Sequence, residues 1–371
     1  MKVMTIVGTR PEIIKLSRVI NCLSQNVDHV LVHTGQNFDF ELNEIFFNEL
    51  EIRKPDYFLS AVGETPIETI ANILKETERV LEIVKPDAVL VLGDTNSAMA
   101  VIAAKRKKIP IFHMEAGNRC FDQRVPEEVN RKLVDHISDV NLTYTEHARR
   151  NLLNEGRPID LVFKTGSPQR EVLDFYSTKI DASQVRTKLG VDLGKYFLVS
   201  LHREENVDNP AHLRTFVTTL NQITSEFSLP ILFSVHPRTN RRLLDLDLKL
   251  DTKINLLKPL GLFDYVKLQK DAFCVLSDSG TITEESSLLG FPAVNLREAH
   301  ERHEGVDEGV LIMTGINQQK IMKAIEITRH QKNMGITPAI PSDYLVESVS
   351  WKVLKIILSY TDYVNRIVWH K

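Results

Sequence analysis

Cysteine is scarce: 371 residues contain only Cys22, Cys120 and Cys274. An odd number, widely spaced and with no CxxC pair, argues against a disulfide framework or a structural zinc site and leads us to expect a reducing, cytoplasmic setting. No apolar run nears the roughly 18 residues of a membrane span. Met1-Lys2-Val3-Met4-Thr5-Ile6-Val7-Gly8 turns into Thr9-Arg10-Pro11-Glu12 before a signal-peptide core develops, so a buried first strand is expected there. Net charge is also small: 46 Lys and Arg against 49 Asp and Glu leave −3. That supplies no broad positive field for a nucleic acid, so any anion must meet a local site. Neither GxxxxGK[ST] nor a GxGxxG after a strand occurs, which argues against an NTPase and a tightly bound dinucleotide. His300-Glu301-Arg302-His303 lacks the HExxH spacing, and Asp245-Leu246-Asp247 sits in an alternating Leu/charged stretch that reads as a solvated face. No metal or cofactor is expected.

What remains is an ordinary globular composition, 43% hydrophobic and 26% charged, in a chain long enough for two domains. Short apolar runs alternate with amphipathic stretches, the pattern of parallel strands joined by crossover helices. The first half predicts strands at 3–8, 29–35, 88–93, 109–115, 140–145 and 161–166, with helices beginning near Pro11, Asp39, Pro66, Asn96, Pro126 and Glu146. The second predicts strands at 196–202, 231–236, 254–257, 273–277 and 293–296, with helices near Pro210, Thr239, Leu262 and Thr281. The economical fold class is α/β with two doubly wound sheets. Boundaries are expected to give a first domain over 1–168, a second over 169–355, and a C-terminal helix over 356–371 packing back on the first.

Ligands of open parallel sheets bind beyond the carboxyl ends of the strands, and the cleft between two such domains is the default site. Ser277-Asp278-Ser279-Gly280-Thr281 leads into Ile282-Thr283-Glu284-Glu285, where backbone N–H groups at a helix start and a glycine allow a phosphate cradle. An ordinary capped turn would read the same way. Basic groups expected at other strand ends, Arg10, His202, Arg203, His236, Arg238 and Arg302, make a diphosphate the natural anion. A second group is acidic. Asp94 and Glu115 end apolar strands, where a carboxylate must find a partner or ligand. Glu127 and Glu128 follow Pro126, in a first turn that the helix dipole favours in any case. With Lys15 and Arg131 nearby, these carboxylates offer a general acid and a general base on opposite faces of a substrate.

The motifs occur in a recognisable order. They are Gly8-Thr9-Arg10-Pro11-Glu12 with Lys15, His33-Thr34-Gly35-Gln36, Gly93-Asp94-Thr95, His113-Met114-Glu115-Ala116-Gly117, and Pro126-Glu127-Glu128-Val129-Asn130-Arg131. There follow His202-Arg203-Glu204-Glu205-Asn206, Ser277-Asp278-Ser279-Gly280 with Glu284-Glu285, and Glu301-Arg302-His303-Glu304. Together they resemble the non-hydrolysing UDP-N-acetylglucosamine 2-epimerase family, from about residue 3 to about residue 310. The resemblance implies two Rossmann-like domains of the glycosyltransferase-B type facing a cleft, a UDP-linked N-acetylated sugar as substrate, a homodimer, and neither metal nor nicotinamide. It places catalysis on Asp94, Glu115 and Glu127, with His202 close to the diphosphate and sugar. Nucleotide binding falls on Arg10, Ser279, Gly280, Glu285 and Arg302, with Glu285 on the ribose; Lys15 and Arg131 match active-site positions. His236 joins the binding set as a strand-end cation.

The chemistry agrees. The C2 proton of a 2-acetamido sugar has no adjacent ring carbonyl, so simple deprotonation cannot invert that carbon. Elimination of UDP across C1–C2, giving a glycal that re-adds UDP, needs an anion cradle and carboxylates, and both are present.

Departures from the family pattern bear on the substrate. The usual Glu-Ala-Gly-Leu-Arg run reads Glu115-Ala116-Gly117-Asn118-Arg119, followed by Cys120, and the usual Arg-Pro-Glu reads Arg302-His303-Glu304. Residues 37–43 lack those that bind a second, activating UDP-sugar in bacterial enzymes, so allosteric activation is not expected. The form from Met114 to Cys120 resembles a branch that epimerises modified sugars for capsule and O-antigen. Within it UDP-N-acetyl-L-fucosamine, made from its L-talo epimer, stands ahead of a diacetamido-uronate. UDP-N-acetylglucosamine itself, a glycosyltransferase on the same scaffold and a non-catalytic UDP-sugar sensor are the rivals; three cleft carboxylates are superfluous in a sensor.

Overall fold

A computed structural model describes residues 1–36 and 40–371, with side chains except at 40–44. Contacts divide the chain into two compact units, Met1–Phe175 with Ser342–Lys371, and Tyr176–Pro341.

In the first unit seven strands pair in parallel: β1 (Lys2–Val7), β2 (Asp28–His33), β3 (Tyr57–Phe58), β4 (Ala88–Leu92), β5 (Ile111–Met114), β6 (Val140–Thr143) and β7 (Val162–Lys164), in the order β3-β2-β1-β4-β5-β6-β7. Strands such as Ala88-Val89-Leu90-Val91-Leu92 are buried throughout because helices cover both faces, which is why they read as continuous apolar runs. The order reverses between β1 and β4, so the loops after these two strands splay apart and leave a crevice at their carboxyl ends. Those loops are Gly8-Thr9, which leads into the helix Arg10–Asn26, and Gly93–Thr95.

The second unit repeats the design with β8 (Phe197–Leu201), β9 (Ile231–Val235), β10 (Ile254–Leu257), β11 (Cys274–Ser277), β12 (Ala293–Asn295) and β13 (Ile312–Met313), ordered β10-β9-β8-β11-β12-β13. Alternate residues serve opposite faces. Phe197, Val199 and Leu201 join Phe233 and Leu276 in one apolar cluster, whereas Tyr196, Leu198, Leu232 and Val275 belong to another. Here the reversal lies between β8 and β11, which brings the loops after Leu201 and after Ser277 to the switch point.

Each predicted strand has a counterpart. Among the described strands β3 and β13 have no sequence counterpart, being two residues each, at the sheet edges and too short to carry a periodicity; the helix Gln318–Asn333 was not expected either. Helices begin at Pro66, Asn96, Pro126, Glu146, Pro210 and Leu262 as expected. At Asn96 the start is a 3-10 turn, Asn96–Ala100, capped by Thr95 Oγ1, which accepts the Ser97 N–H at 3.2 Å. The expected start at Asp39 and the motif over 37–43 lie outside the residues described with side chains.

The unit boundaries differ from those drawn at 168 and 355. The helix Gln169–Phe175 stays with the first unit because Glu171 accepts the Ser350 N–H at 2.9 Å, at the head of the helix Val349–Ile367. That helix in turn packs against Arg10–Asn26. Among the described residues no helix is long and apolar enough to cross a membrane.

Candidate active site

Asp94 and Glu115 follow neighbouring strands, because β4 and β5 pair with Leu92 opposite Met114. Their side chains are 26% and 13% exposed, open enough to meet a ligand yet each held by a nearly buried cation. Lys15 Nζ lies 2.7 Å from Glu115 Oε2, and Arg131 brings Nη2 to 2.7 Å and Nε to 3.0 Å from Asp94 Oδ2. Asn130 adds a donor to the Asp94 carbonyl at 3.0 Å.

Backbone strain aims Glu115. Its φ of 63° is left-handed, a conformation that a non-glycine residue adopts only when its surroundings enforce it. The residues on either side are tied to Asp135, whose carboxylate accepts the Gly117 N–H at 3.1 Å and an Arg119 N–H at 2.7 Å, and lies 3.0 Å from His113 Nδ1. Burial opposes ionisation of Asp135, but His113 and Arg119 outweigh it and hold the group below its ordinary range. Gly117 has φ 80°, and a Cβ there would meet the Ala148 carbonyl oxygen at 2.2 Å, so both the torsion and the close approach require glycine.

The helix Pro126–Ile137 supplies the remaining groups. Glu128, Arg131 and Asp135, three and then four residues apart, form its buried face, while Glu127 is partly exposed. Glu128 is the structural one of the glutamate pair: it accepts from Cys120 N at 3.0 Å and Phe121 N at 3.3 Å, and pairs with Arg131 Nη1 at 3.1 Å. Glu12 joins two loops. Its carboxyl accepts the backbone N–H groups of Gly8 and Thr9 and the hydroxyl of Thr95, the neighbour of Asp94. Burial pushes this carboxyl up to about 7, against the hydrogen bonds from Thr95, Gly8 and Thr9, with the nearby Asp94 charge adding to the rise. Arg10 opens the helix Arg10–Asn26, with its guanidinium 5.9 Å from the Phe46 ring centre.

At the switch point of the second unit Asp278 is fully buried and receives N–H groups from His202 at 3.1 Å, Arg203 at 2.9 Å and Asn206 at 3.1 Å. Burial works against its charge, yet His202, Arg203 and Asn206 hold the carboxyl down at about 2. His202 Nδ1 lies 3.1 Å from Asp278 Oδ1 while the ring is 43% exposed, which fixes the tautomer and leaves Nε2 for other chemistry. Ser279, Gly280 and Thr281 lead into the helix Ile282–Leu289, with the Ser279 N–H donated to Ser277 Oγ at 3.0 Å. Glu285 accepts from Gln269 at 2.6 Å, and Arg302, almost fully buried, pairs with Glu284 at 2.9 Å. His236 caps the helix Pro237–Asp245 through its Nδ1.

The structure therefore gathers Lys15, Asp94, Glu115 and Arg131 in the first unit, and sets His202, Ser279 and Gly280 on the two switch-point loops of the second. Sequence reading assigned no part to Glu12, Arg119, Asp135 or Asp278. A signal existed for one: Asp135 stands seven residues after Glu128, on the same helical face.

Two doubly wound parallel sheets, with cation-paired carboxylates at adjacent strand ends of one and a small-residue turn before a helix at the switch point of the other, define the domain composition of the glycosyltransferase-B type. A family model described as UDP-N-acetylglucosamine 2-epimerase matches residues 22–358. The chain belongs to that family and is an epimerase, an isomerase. A solved structure named as a UDP-N-acetylglucosamine 2-epimerase from Rickettsia bellii is 52% identical, with 100% of each chain covered and a TM-score of 0.93. The Methanocaldococcus jannaschii UDP-GlcNAc 2-epimerase in complex with UDP-GlcNAc and UDP is 36% identical over 97% of this chain and 100% of that one, with a TM-score of 0.90. The UDP-2,3-diacetamido-2,3-dideoxy-D-glucuronate 2-epimerase of Pseudomonas aeruginosa is 36% identical, covering 87% of this chain and 91% of the relative.

Proposed function

We propose that the chain inverts C2 of a UDP-2-acetamido sugar by elimination and re-addition of UDP. One observation carries the reading: Asp94 and Glu115, on adjacent strand ends, are partly open carboxylates with separate cations. In the first half-reaction a carboxylate takes the C2 proton, the C1–O bond breaks, and its electron pair leaves with the diphosphate, giving a C1=C2 glycal. A proton then reaches C2 from the opposite face and the diphosphate oxygen re-forms the bond to C1. Asp94, Glu115 and Glu127 share the acid/base work, supported by Lys15 and Arg131. Arg10, His202, His236, Ser279, Gly280, Glu285 and Arg302 serve the UDP moiety, with preorganised donors lowering the cost of the developing charge.

For the sugar we propose UDP-2-acetamido-2,6-dideoxy-L-talose, converted to UDP-N-acetyl-L-fucosamine for a surface polysaccharide, by a homodimer. What supports this is the place of the sequence departure: Asn118, where the family pattern has leucine, puts its amide nitrogen 3.4 Å from Glu115 Oε1, beside the acid/base group itself. The relatives' names favour a second reading, UDP-N-acetylglucosamine or a diacetamido-uronate as substrate. Incubation with each UDP-sugar in deuterated water, without acceptor, tests all three. Deuterium at C2 and a mixture of epimers are expected for the L-talo substrate; labelling of another sugar alone would replace it, and intact unlabelled substrate throughout would refute the epimerase reading.

A further inference from the structure

Arg297 follows β12 and is 3% exposed. Its Nε, Nη1 and Nη2 are all buried, and none makes a hydrogen bond. Glu301 balances its charge, with Oε2 2.9 Å from Nη1 but out of line for a hydrogen bond. A guanidinium carries five N–H donors, and burying them unmet is costly unless they have another use.

The use is indicated by what lies alongside. A Cβ built on Gly280 would stand 2.6 Å from Glu301 Oε1, 3.7 Å from Arg297 Nη1 and 3.7 Å from Arg203 Nη2. The open side of this glycine, where the lack of a side chain lets an anion reach the turn, is thus filled by a carboxylate of the protein and flanked by two guanidinium groups. Arg302 is paired with a different carboxylate: its Nη2 lies 2.9 Å from Glu284, and both side chains are buried. We infer that Arg297 is a diphosphate-binding residue and that Glu301 is its stand-in anion. A nucleoside diphosphate displaces the Glu301 carboxylate from Gly280 and takes over the guanidinium of Arg297. The inference rests on the UDP-sugar reading above and adds to it a binding residue and an internal competitor.

Calorimetric titration of the full chain with UDP and with uridine tests it. Arg297→Met is expected to weaken UDP binding about 10- to 100-fold, the usual range for hydrogen bonds to a charged group, and to leave uridine unaffected; Arg297→Lys should recover part of the loss. Glu301→Gln removes the competitor and is expected to bind UDP several-fold tighter. Equal losses for UDP and uridine in Arg297→Met would mark a merely structural arginine and overturn the inference, as would unchanged UDP affinity. Should Arg297→Met fail to fold, Glu301→Gln decides, since unchanged or weaker UDP binding there refutes the competition. Wild-type protein that binds neither ligand would bring down the UDP-sugar reading as well, whereas wild-type binding with both variants unchanged overturns this inference alone.

Discussion

Glu12→Gln isolates a buried carboxyl that ties the loop after β1 to the loop carrying Asp94. The folded pKa of Glu12 lies at about 7, against an ordinary 4.5, because burial outweighs the donors from Thr95, Gly8 and Thr9. The native state therefore keeps a proton that the unfolded chain has already released. Stability from this group is complete below about pH 4.5, declines as pH rises to about 7, and falls no further above that. At 1.36 kcal/mol per pH unit the whole loss is roughly 3 kcal/mol. Glutamine keeps the shape: its amide oxygen replaces the carboxyl oxygen that accepts from Gly8 and Thr9, and its NH2 faces the Thr95 hydroxyl. Urea unfolding of the two proteins should give near-equal stability at pH 5 and a variant more stable by up to about 3 kcal/mol at pH 8. The nearby Asp94 charge contributes to the rise, so Asp94→Asn should shrink the pH-dependent loss. Parallel stability-versus-pH curves for wild type and Glu12→Gln would refute the reasoning.

Asp94→Asn should lose about two decades of turnover or more, as removal of a general acid or base does, while UDP still binds by calorimetry; a near-normal rate of C2 deuteration would remove Asp94 from the chemistry. Gly117→Ala adds a Cβ 2.2 Å from a carbonyl oxygen at φ 80°. It is expected to destabilise the first unit by about 3 kcal/mol or more, and thermal unfolding at the wild-type temperature would contradict that.

The fold was largely legible, because a parallel strand covered on both faces must be apolar along its whole length and the helices between carry their own caps and prolines. Val89, Leu90 and Val91 announce β4 without any knowledge of their neighbours. The strand-end carboxylates Asp94 and Glu115 were legible for the same reason, as charges that close apolar runs. Tyr57–Phe58 and Ile312–Met313 were not, since two residues have no period and become strands only by pairing at a sheet edge.

Sequence by itself determined most of the alternation of strands and helices and the residue types gathered at their ends, because these depend on local periodicity and capping. Only the tertiary structure decided which loops share a switch point, that Glu128 is buried scaffolding while Glu127 is partly open, that Asp135 ties together His113, Gly117 and Arg119 around Glu115, and that Arg297 and Glu301 meet over Gly280. Those facts depend on burial and on distances between residues far apart in the chain. Burial is also what turns Glu12 from an ordinary helix-capping glutamate into a carboxyl that keeps its proton up to about pH 7.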